Sequence, residues 1–320
     1  MIFEKQILNA YRNMAYSRCD DNGTAFYFSN DNFPGLSREA YSFSSSQSHK
    51  LQGYIYSYEN PKAGSLVIFD HGFGGGHHSY MKEIEILARG GYTVLAYDHT
   101  GCMESGGEGA GGMANSLHDL DDCLKAVKSD SRFDGLDICV VGHSWGGFST
   151  LNISALHPEI SHVVVLSGFV SVKALIDSYF PGIMKLYRKA IMNIENEANP
   201  YYVKFNGVDS LRKSKAKAFL IYSDDDKLCK RTHYDILKSA LEGREGTAFK
   251  LVSGKGHNPN YTKGAVKLLG EYVAEKTKLA KKGRLGTDAQ KAEFLAKFDF
   301  DKMTEQDESV WADILAFLAR

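Results

Sequence analysis

A serine stands at the centre of the segment 142–146, which reads Gly-His-Ser-Trp-Gly. The apolar run 138–141 before it is typical of a buried strand, and the stretch 148–156 after it is typical of a helix. A serine on a tight turn between a strand and a helix is exposed at the tip, and small neighbours let the two elements approach. The pattern indicates that Ser144 is a nucleophile; the alternative is an ordinary tight turn.

A serine hydroxyl is a weak nucleophile unless a base lies within hydrogen-bonding reach. The chain has 11 histidines, and the best candidate is His257 in Gly-Lys-Gly-His-Asn at 254–258. It follows the last predicted strand, and the flanking glycines allow a tight loop. His157 and His162 fall at a helix end and inside a strand, which favours structural roles.

The base in turn needs an acid that fixes its tautomer and stabilises the imidazolium. Asp224, Asp225 and Asp226 follow the predicted strand 218–223. We select Asp226 because of its distance past the strand end, with Asp225 second and Asp224 third. The three acids could instead form a solvated loop or a cation site. A metal would need further oxygen ligands at regular spacing, so no metal site is predicted.

The negative charge that develops on a carbonyl oxygen needs preorganised donors. We expect the backbone N–H groups of Trp145 and Phe73 to supply them, the latter from His-Gly-Phe-Gly-Gly-Gly at 71–76. The alternative for this loop is a phosphate cradle, but neither glycine spacing typical of nucleotide-binding loops occurs here. No cofactor is therefore predicted. His71 is expected to hold the loop, while His77 and His78 stay unassigned.

The elements that must position these residues are short apolar runs alternating with helical stretches. An alternating stretch at 41–58 predicts a strand pair, and continuous apolar runs predict strands at 65–70, 93–98, 137–141, 160–166, 218–223 and 248–252. Such runs favour a mostly parallel sheet with both faces covered. Right-handed crossovers then bring the carboxyl ends of the strands to one edge. The candidate residues follow strands, so they should meet at that edge.

Two segments depart from the alternation. Residues 171–212 look helical and predict a helical cap over the crevice, with a longer crossover as the alternative; its apolar members include Tyr179, Phe180, Leu186, Tyr187, Tyr201 and Tyr202. Residues 278–306 are charged and predict a loop and a short surface helix before a final helix at 309–318. The predicted organisation is an N-terminal extension (1–50), a core (51–170 and 213–320) and a cap (171–212).

Composition narrows the class of protein. The chain has 320 residues, 43% of them hydrophobic, and a formal net charge of −1. No global field therefore favours nucleic acid or an anionic membrane. The N-terminus lacks an apolar h-region and no long apolar run occurs, so we expect neither a signal peptide nor a membrane span. Five cysteines without metal-ligand spacing predict reduced thiols and a cytoplasmic location.

Five motifs taken together resemble the α/β-hydrolases, close to the group of serine aminopeptidases and monoacylglycerol lipases. They run from about residue 50 to the C-terminus: His-Gly-Phe-Gly-Gly-Gly at 71–76, Tyr-Asp-His-Thr-Gly at 97–101, Gly-His-Ser-Trp-Gly-Gly at 142–147, Leu-Ile-Tyr-Ser-Asp-Asp-Asp at 220–226 and Gly-Lys-Gly-His-Asn at 254–258. The order Ser144, Asp226, His257 is also that of this superfamily. The resemblance implies an α/β-hydrolase fold, a mostly parallel doubly wound sheet with a helical cap insertion.

The resemblance also implies hydrolysis through an acyl-enzyme formed on Ser144. An aromatic and apolar cap favours apolar or aromatic groups, and the cap has no evident cluster of acids for a free α-amino group. We therefore expect a serine carboxylic-ester hydrolase acting on small esters, without nucleic-acid or membrane partners. The alternatives are a peptidase or amidase, an acyltransferase, and a non-catalytic binding protein. The intact set of Ser144, Asp226 and His257 argues against the last.

Overall fold

The computed structural model of the protein describes residues 3–61 and 64–320. These residues form one eight-stranded sheet with the strand order β1-β2-β4-β3-β5-β6-β7-β8. The strands are β1 Ser37–Ser44, β2 Lys50–Ser57, β3 Ser65–Asp70, β4 Thr93–Tyr97, β5 Asp137–His143, β6 Ile160–Leu166, β7 Lys217–Ser223 and β8 Thr247–Val252. Strand β2 is antiparallel to both neighbours, and the remaining pairs from β4 to β8 are parallel. The predicted mostly parallel sheet is confirmed.

Helices cover both faces of this sheet. They are α1 Glu4–Ala15, α2 Met81–Arg89, α3 Asn115–Lys128, α4 Trp145–Ile153, α5 Val172–Tyr179, α6 Arg188–Ala198, α7 Gly207–Lys213, α8 Arg231–Leu241, α9 Lys263–Lys281, α10 Asp288–Leu295, α11 Phe300–Met303 and α12 Glu308–Leu318. None of the described helices combines the length and apolar character needed to cross a bilayer.

Alternate residues of the central strands belong to different cores. In β3, Leu66 and Ile68 pack in one core and Val67 and Phe69 in the other, and all four side chains are fully buried. Helices α3, α4 and α8 contribute to the first core, while α2 and α12 contribute to the second. Burial on both faces explains why these strands read as continuous apolar runs.

Three features differ from the sequence-based expectations. Helix α1 was not anticipated, and β1 lies inside the predicted N-terminal extension, so the sheet already begins at Ser37. The expected loop and short helix within 278–306 are observed at 282–287 and in α10, but the segment packs onto α9 and is not purely a surface feature. Helix α9 extends to Lys281, and Phe294 of α10 is 1% exposed in a third apolar cluster with Tyr272 and Met303. The division of the chain into extension, core and cap stays a prediction.

The helical segment between β6 and β7 comprises α5, α6 and α7. Its buried Glu195 joins α6 to two other parts of the chain. Tyr11 and Tyr16 donate hydrogen bonds to Oε1 of Glu195 at 2.6 and 3.1 Å, and the N–H of Met113 donates to Oε2 at 2.9 Å. This carboxylate therefore fixes α1 and the loop before α3 against the segment.

Candidate active site

Ser144 occupies the turn between β5 and α4. Its backbone angles are φ 57° and ψ −108°, a combination that side-chain-bearing residues rarely adopt and that stores strain. A Cβ on Gly146 would overlap the carbonyl group of Asp70, so the next turn of the chain can approach the sheet only without a side chain there. The turn therefore presents Ser144 at the carboxyl edge of β5.

The structure brings Ser144, His257 and Asp226 together. Nε2 of His257 lies 2.8 Å from Oγ of Ser144, and Nδ1 lies 2.8 Å from Oδ2 of Asp226. Because a carboxylate accepts hydrogen bonds, the proton of a neutral His257 belongs on Nδ1 and Nε2 is free to accept the serine proton. This is the geometry that general-base activation of a serine requires.

The three consecutive acids have separate partners. Asp226 receives the backbone N–H groups of Leu228 and Cys229 on Oδ1, at 2.8 and 3.1 Å, which leaves Oδ2 for His257. Asp225 accepts from Gly256 N–H at 2.8 Å, and Asp224 accepts from Gly254 N–H at 3.1 Å. Asp225 and Asp224 thus hold the loop that carries His257, and Asp226 contacts its ring.

Two residues that line the same cavity as Ser144 have backbone N–H groups with no hydrogen-bond acceptor among the described residues. They are Phe73, in the loop after β3, and Trp145, the first residue of α4. The Phe73 ring packs edge-on against Trp145 with centroids 5.1 Å apart, which ties the loop to the helix start.

A chain of hydrogen bonds that the sequence did not predict connects the loop after β3, through Tyr80 and His143, to the loop that carries His257. The N–H of Gly72 donates to the hydroxyl of Tyr80 at 3.1 Å, and this hydroxyl lies 2.8 Å from Nδ1 of His143. Nε2 of His143 lies 2.8 Å from the carbonyl oxygen of His257. A carbonyl only accepts, so Nε2 of His143 donates and Tyr80 donates to Nδ1. Burial and the neighbouring His257 lower the pKa of His143 to about 3, which keeps this imidazole neutral.

Buried histidine and aspartate side chains hold the loop after β3 in place through hydrogen bonds. Nδ1 of His71 donates to the carbonyl of Gly72 at 2.8 Å, and its Nε2 accepts the N–H of His99 at 2.9 Å; burial lowers the pKa of His71 to about 4. The His99 ring lies 2.9 Å from Asp70 and 3.2 Å from Asp119. Burial alone would lower the pKa of His99, but these two carboxylates raise it to about 10. His71 holds the loop as expected.

A cavity of about 1000 Å³ opens at Ser144 and His257. Its walls come from α1, the segment 25–28, the helix α5 and the C-terminal helices α9 and α11. Of the apolar cap residues singled out in the sequence, Tyr179 and Phe180 line the cavity, as does His78. The other four, Leu186, Tyr187, Tyr201 and Tyr202, are not among the lining residues; Tyr201 is exposed, and the hydroxyl of Tyr202 donates to Asp121 at 2.6 Å.

Cys229 is a second possible nucleophile in the cavity wall. Its side chain is buried, and burial raises the pKa of its thiol well above the usual range. A protonated thiol is a poor nucleophile, so Ser144 remains the candidate. The five cysteines are all buried and free. Across residues 3–61 and 64–320, no group of histidine, cysteine and acidic side chains is arranged to hold a metal ion.

Residues 61–246 match the model of the family described as serine aminopeptidase, S33, which is more than half of the chain. Two curated relatives align over shorter stretches. An epoxide hydrolase from Caballeronia sordidicola is 29% identical over 30% of this chain and 29% of its own length. A proline iminopeptidase from Clostridioides difficile is 30% identical over 29% of this chain and 31% of its own length. This chain thus matches less than a third of the length of either relative.

A solved structure extends the similarity to most of the fold. The esterase Pf2001 from Pyrococcus furiosus superposes with a TM-score of 0.59 at 18% identity, over 88% of this chain and 99% of the esterase. At this identity the likeness concerns the fold, and the chemistry has to be argued from the residues at the site.

Proposed function

Because the chain belongs to the serine aminopeptidase S33 family of α/β-hydrolases and is a hydrolase, we propose that it is a serine carboxylic-ester hydrolase that acts through an acyl-enzyme. The observation that carries the proposal is the line of contacts from Ser144 Oγ through His257 to Asp226, with 2.8 Å at each step. The proposed substrates are small esters with apolar or aromatic groups.

The proposed reaction begins when His257 takes the proton of Ser144 as the hydroxyl attacks the ester carbonyl. The N–H groups of Phe73 and Trp145 are proposed to bind the oxyanion that forms. The imidazolium, stabilised by Asp226, then protonates the departing alcohol. A water molecule activated by the same histidine attacks the acyl-enzyme and releases the carboxylic acid.

The cavity wall supports an ester over a free aminoacyl substrate. Among its described residues the one carboxyl group is that of Glu83. This side chain is buried, accepts a hydrogen bond from Asn260 at 3.1 Å, and has a pKa that burial raises to about 7. A buried, already bonded carboxyl that is only partly ionised near neutral pH is a poor partner for an α-ammonium group. An ester also has a better leaving group than an amide and demands less of His257.

We also propose the binding partners and the cellular location of the protein. The substrate is a small molecule, without a nucleic-acid or membrane partner. Free, buried thiols are compatible with a reducing compartment, and we propose a cytoplasmic location on that ground.

The test is labelling with a fluorophosphonate and mapping of the modified peptide, together with turnover of p-nitrophenyl esters from acetate to decanoate. We expect stoichiometric labelling of Ser144 and ester hydrolysis, both lost in Ser144→Ala and retained in the surface variant Ser129→Ala. Turnover of aminoacyl arylamides without turnover of esters would replace the proposal with a peptidase. Absence of labelling and of turnover in the folded protein would overturn it.

A further inference from the structure

The cavity that opens at Ser144 has a second end, formed by parts of the chain outside the catalytic loops. On α9, Leu269, Tyr272, Val273 and Lys276 line it, and their spacing places them on one face of the helix. Phe26 and Phe300 lie opposite, with ring centroids 5.4 Å apart, and the ring of Phe300 is 6.1 Å from that of Tyr272. We call this end, formed by Phe26, Phe28, Tyr272, Lys276 and Phe300, the distal chamber.

Lys276 places a positive charge in the wall of the distal chamber. Its ammonium lies 5.8 Å from the centre of the Tyr272 ring. Among the described residues no carboxylate lies within ion-pairing distance of it. Partial burial lowers its pKa, and a half-buried ammonium without an anion is unfavourable. The wall therefore holds a positive charge that an anionic ligand would stabilise.

None of the neighbouring charges among the described residues forms an ion pair with Lys276. Lys82, also in the cavity wall, is already paired with Asp301 at 2.7 Å, and Lys278 on the same helix is paired with Glu275 at 3.0 Å. Asp21 attracts the ammonium of Lys276 and raises its pKa, but it lies beyond ion-pairing distance. The remaining carboxyl of the wall, Glu83, is bonded to Asn260.

We propose that the distal chamber binds a carboxylate at the end of the substrate remote from the scissile ester, with Lys276 as a specificity-determining residue. The proposal rests on the proposed ester hydrolysis and names its substrate class: an ester whose apolar or aromatic body ends in an anionic group. The body lies against the aromatic rings while the ester carbonyl is at Ser144. The partly buried ammonium makes the charge pair stronger than one in bulk water.

The test compares two series of p-nitrophenyl monoesters made from adipic to dodecanedioic acid. In one series the distal group is the free carboxylate, and in the other it is the neutral primary carboxamide. Calorimetric titration into Ser144→Ala measures binding without turnover. At the chain length that fits, we expect the carboxylate to bind about tenfold more tightly, as for a partly desolvated charge pair. Wild-type kcat/KM should show the same preference.

Two variants separate a specific role from a structural one. In Ser144→Ala the added change Lys276→Met should bring the ratio of the two dissociation constants to about one, whereas Lys276→Arg should retain the preference. The matched control is Lys278→Met, whose side chain is 60% exposed and which should leave the ratio unchanged. Equal binding of carboxylate and carboxamide at every length overturns the inference. Preferential binding without wild-type turnover would instead contradict the proposed ester hydrolysis alone.

Discussion

At the scale of the single residue, the backbone of Ser144 carries a conformational cost. Its φ of 57° and ψ of −108° lie where a Cβ is unfavourable, and such strain is of the order of 1–3 kcal/mol. The hydrogen bond from the N–H of Ser144 to the carbonyl of Leu166, at 2.9 Å, helps to hold the turn in place. The backbone conformation that exposes the Ser144 hydroxyl therefore lowers the stability of the folded protein.

We predict that Ser144→Gly is more stable than Ser144→Ala by about 1 kcal/mol, because glycine relieves the strain while alanine keeps the Cβ. Both variants lack the hydroxyl and should lose ester hydrolysis. Thermal and denaturant unfolding of the two variants, measured side by side with the wild type, gives the difference. Identical midpoints for glycine and alanine would mean that the turn is unstrained.

The sequence identified the residues that lie in recognisable local patterns. Ser144 has glycines at fixed offsets, and His257 and Asp226 follow strand ends. Their positions relative to the predicted strands were therefore enough to select them as candidates. Tyr80 and Lys276 carry no such pattern. Tyr80 reaches His143, and Lys276 reaches the cavity of Ser144, through folding that brings distant segments together. His143 lay inside the serine motif, but its bond to the carbonyl of His257 needs the tertiary structure.

At the scale of elements, the loops after β7 and β8 act as one unit. Ser223 at the end of β7 donates to Asp225 at 2.7 Å and accepts the N–H of Lys255 at 3.0 Å. Asp225 also accepts from Gly256. These bonds fix the loop of His257 relative to Asp226, so two neighbouring acids serve one histidine in different ways.

We predict that Asp226→Asn lowers kcat by roughly a thousandfold or more. A neutral amide neither fixes the proton on Nδ1 of His257 nor stabilises the imidazolium by its charge. Asp225→Asn should lower kcat by about tenfold or less, because the amide oxygen still accepts from the loop. Steady-state kinetics on one p-nitrophenyl ester, with circular dichroism to check folding, compares them. The reverse ranking would assign the acid to Asp225.

The strands of the sheet were predictable because burial on both faces makes them uniformly apolar. Helix α1 was missed because half of its twelve residues are polar and only Tyr11 and Ala15 are buried. The segment 278–306 is charged overall, and this composition gave no indication that a few of its apolar residues form a buried cluster. Phe294 packs with Tyr272 at 5.2 Å and with Phe298 at 5.3 Å, a partnership between α9 and the following segment that periodicity in either one does not reveal.

At the scale of the whole molecule, the cavity depends on segments that are far apart in the chain. Helix α1, the segment 25–28, α5 and α9 each contribute to its wall. Glu83 of α2 links this wall to the C-terminal region. It accepts from Asn260, which also donates to Gln306 at 2.8 Å, and Gln306 accepts from Trp311 of α12 at 2.8 Å. A change of charge at Glu83 should therefore affect global stability.

We predict that Glu83→Gln makes the protein more stable than wild type at pH 8 and changes its stability much less at pH 5. Burial raises the pKa of Glu83 from 4.5 to about 7. The folded state thus keeps the proton that the unfolded state loses, and this contribution to stability is present below the unfolded pKa and is lost as pH rises through the folded pKa. The loss is about 3 kcal/mol at most, and glutamine does not titrate.

Denaturant unfolding at a series of pH values between 5 and 8 measures this difference. The variant keeps an oxygen for the hydrogen bond from Asn260, so its stability should fall less with pH than that of the wild type. The control Glu242→Gln, with a side chain that is 71% exposed, should follow the wild-type curve. Parallel curves for Glu83→Gln and wild type would mean that Glu83 is ionised in the folded protein at all these pH values. The cavity would then contain a carboxylate able to bind an α-ammonium group, and the preference for esters would lose that part of its support.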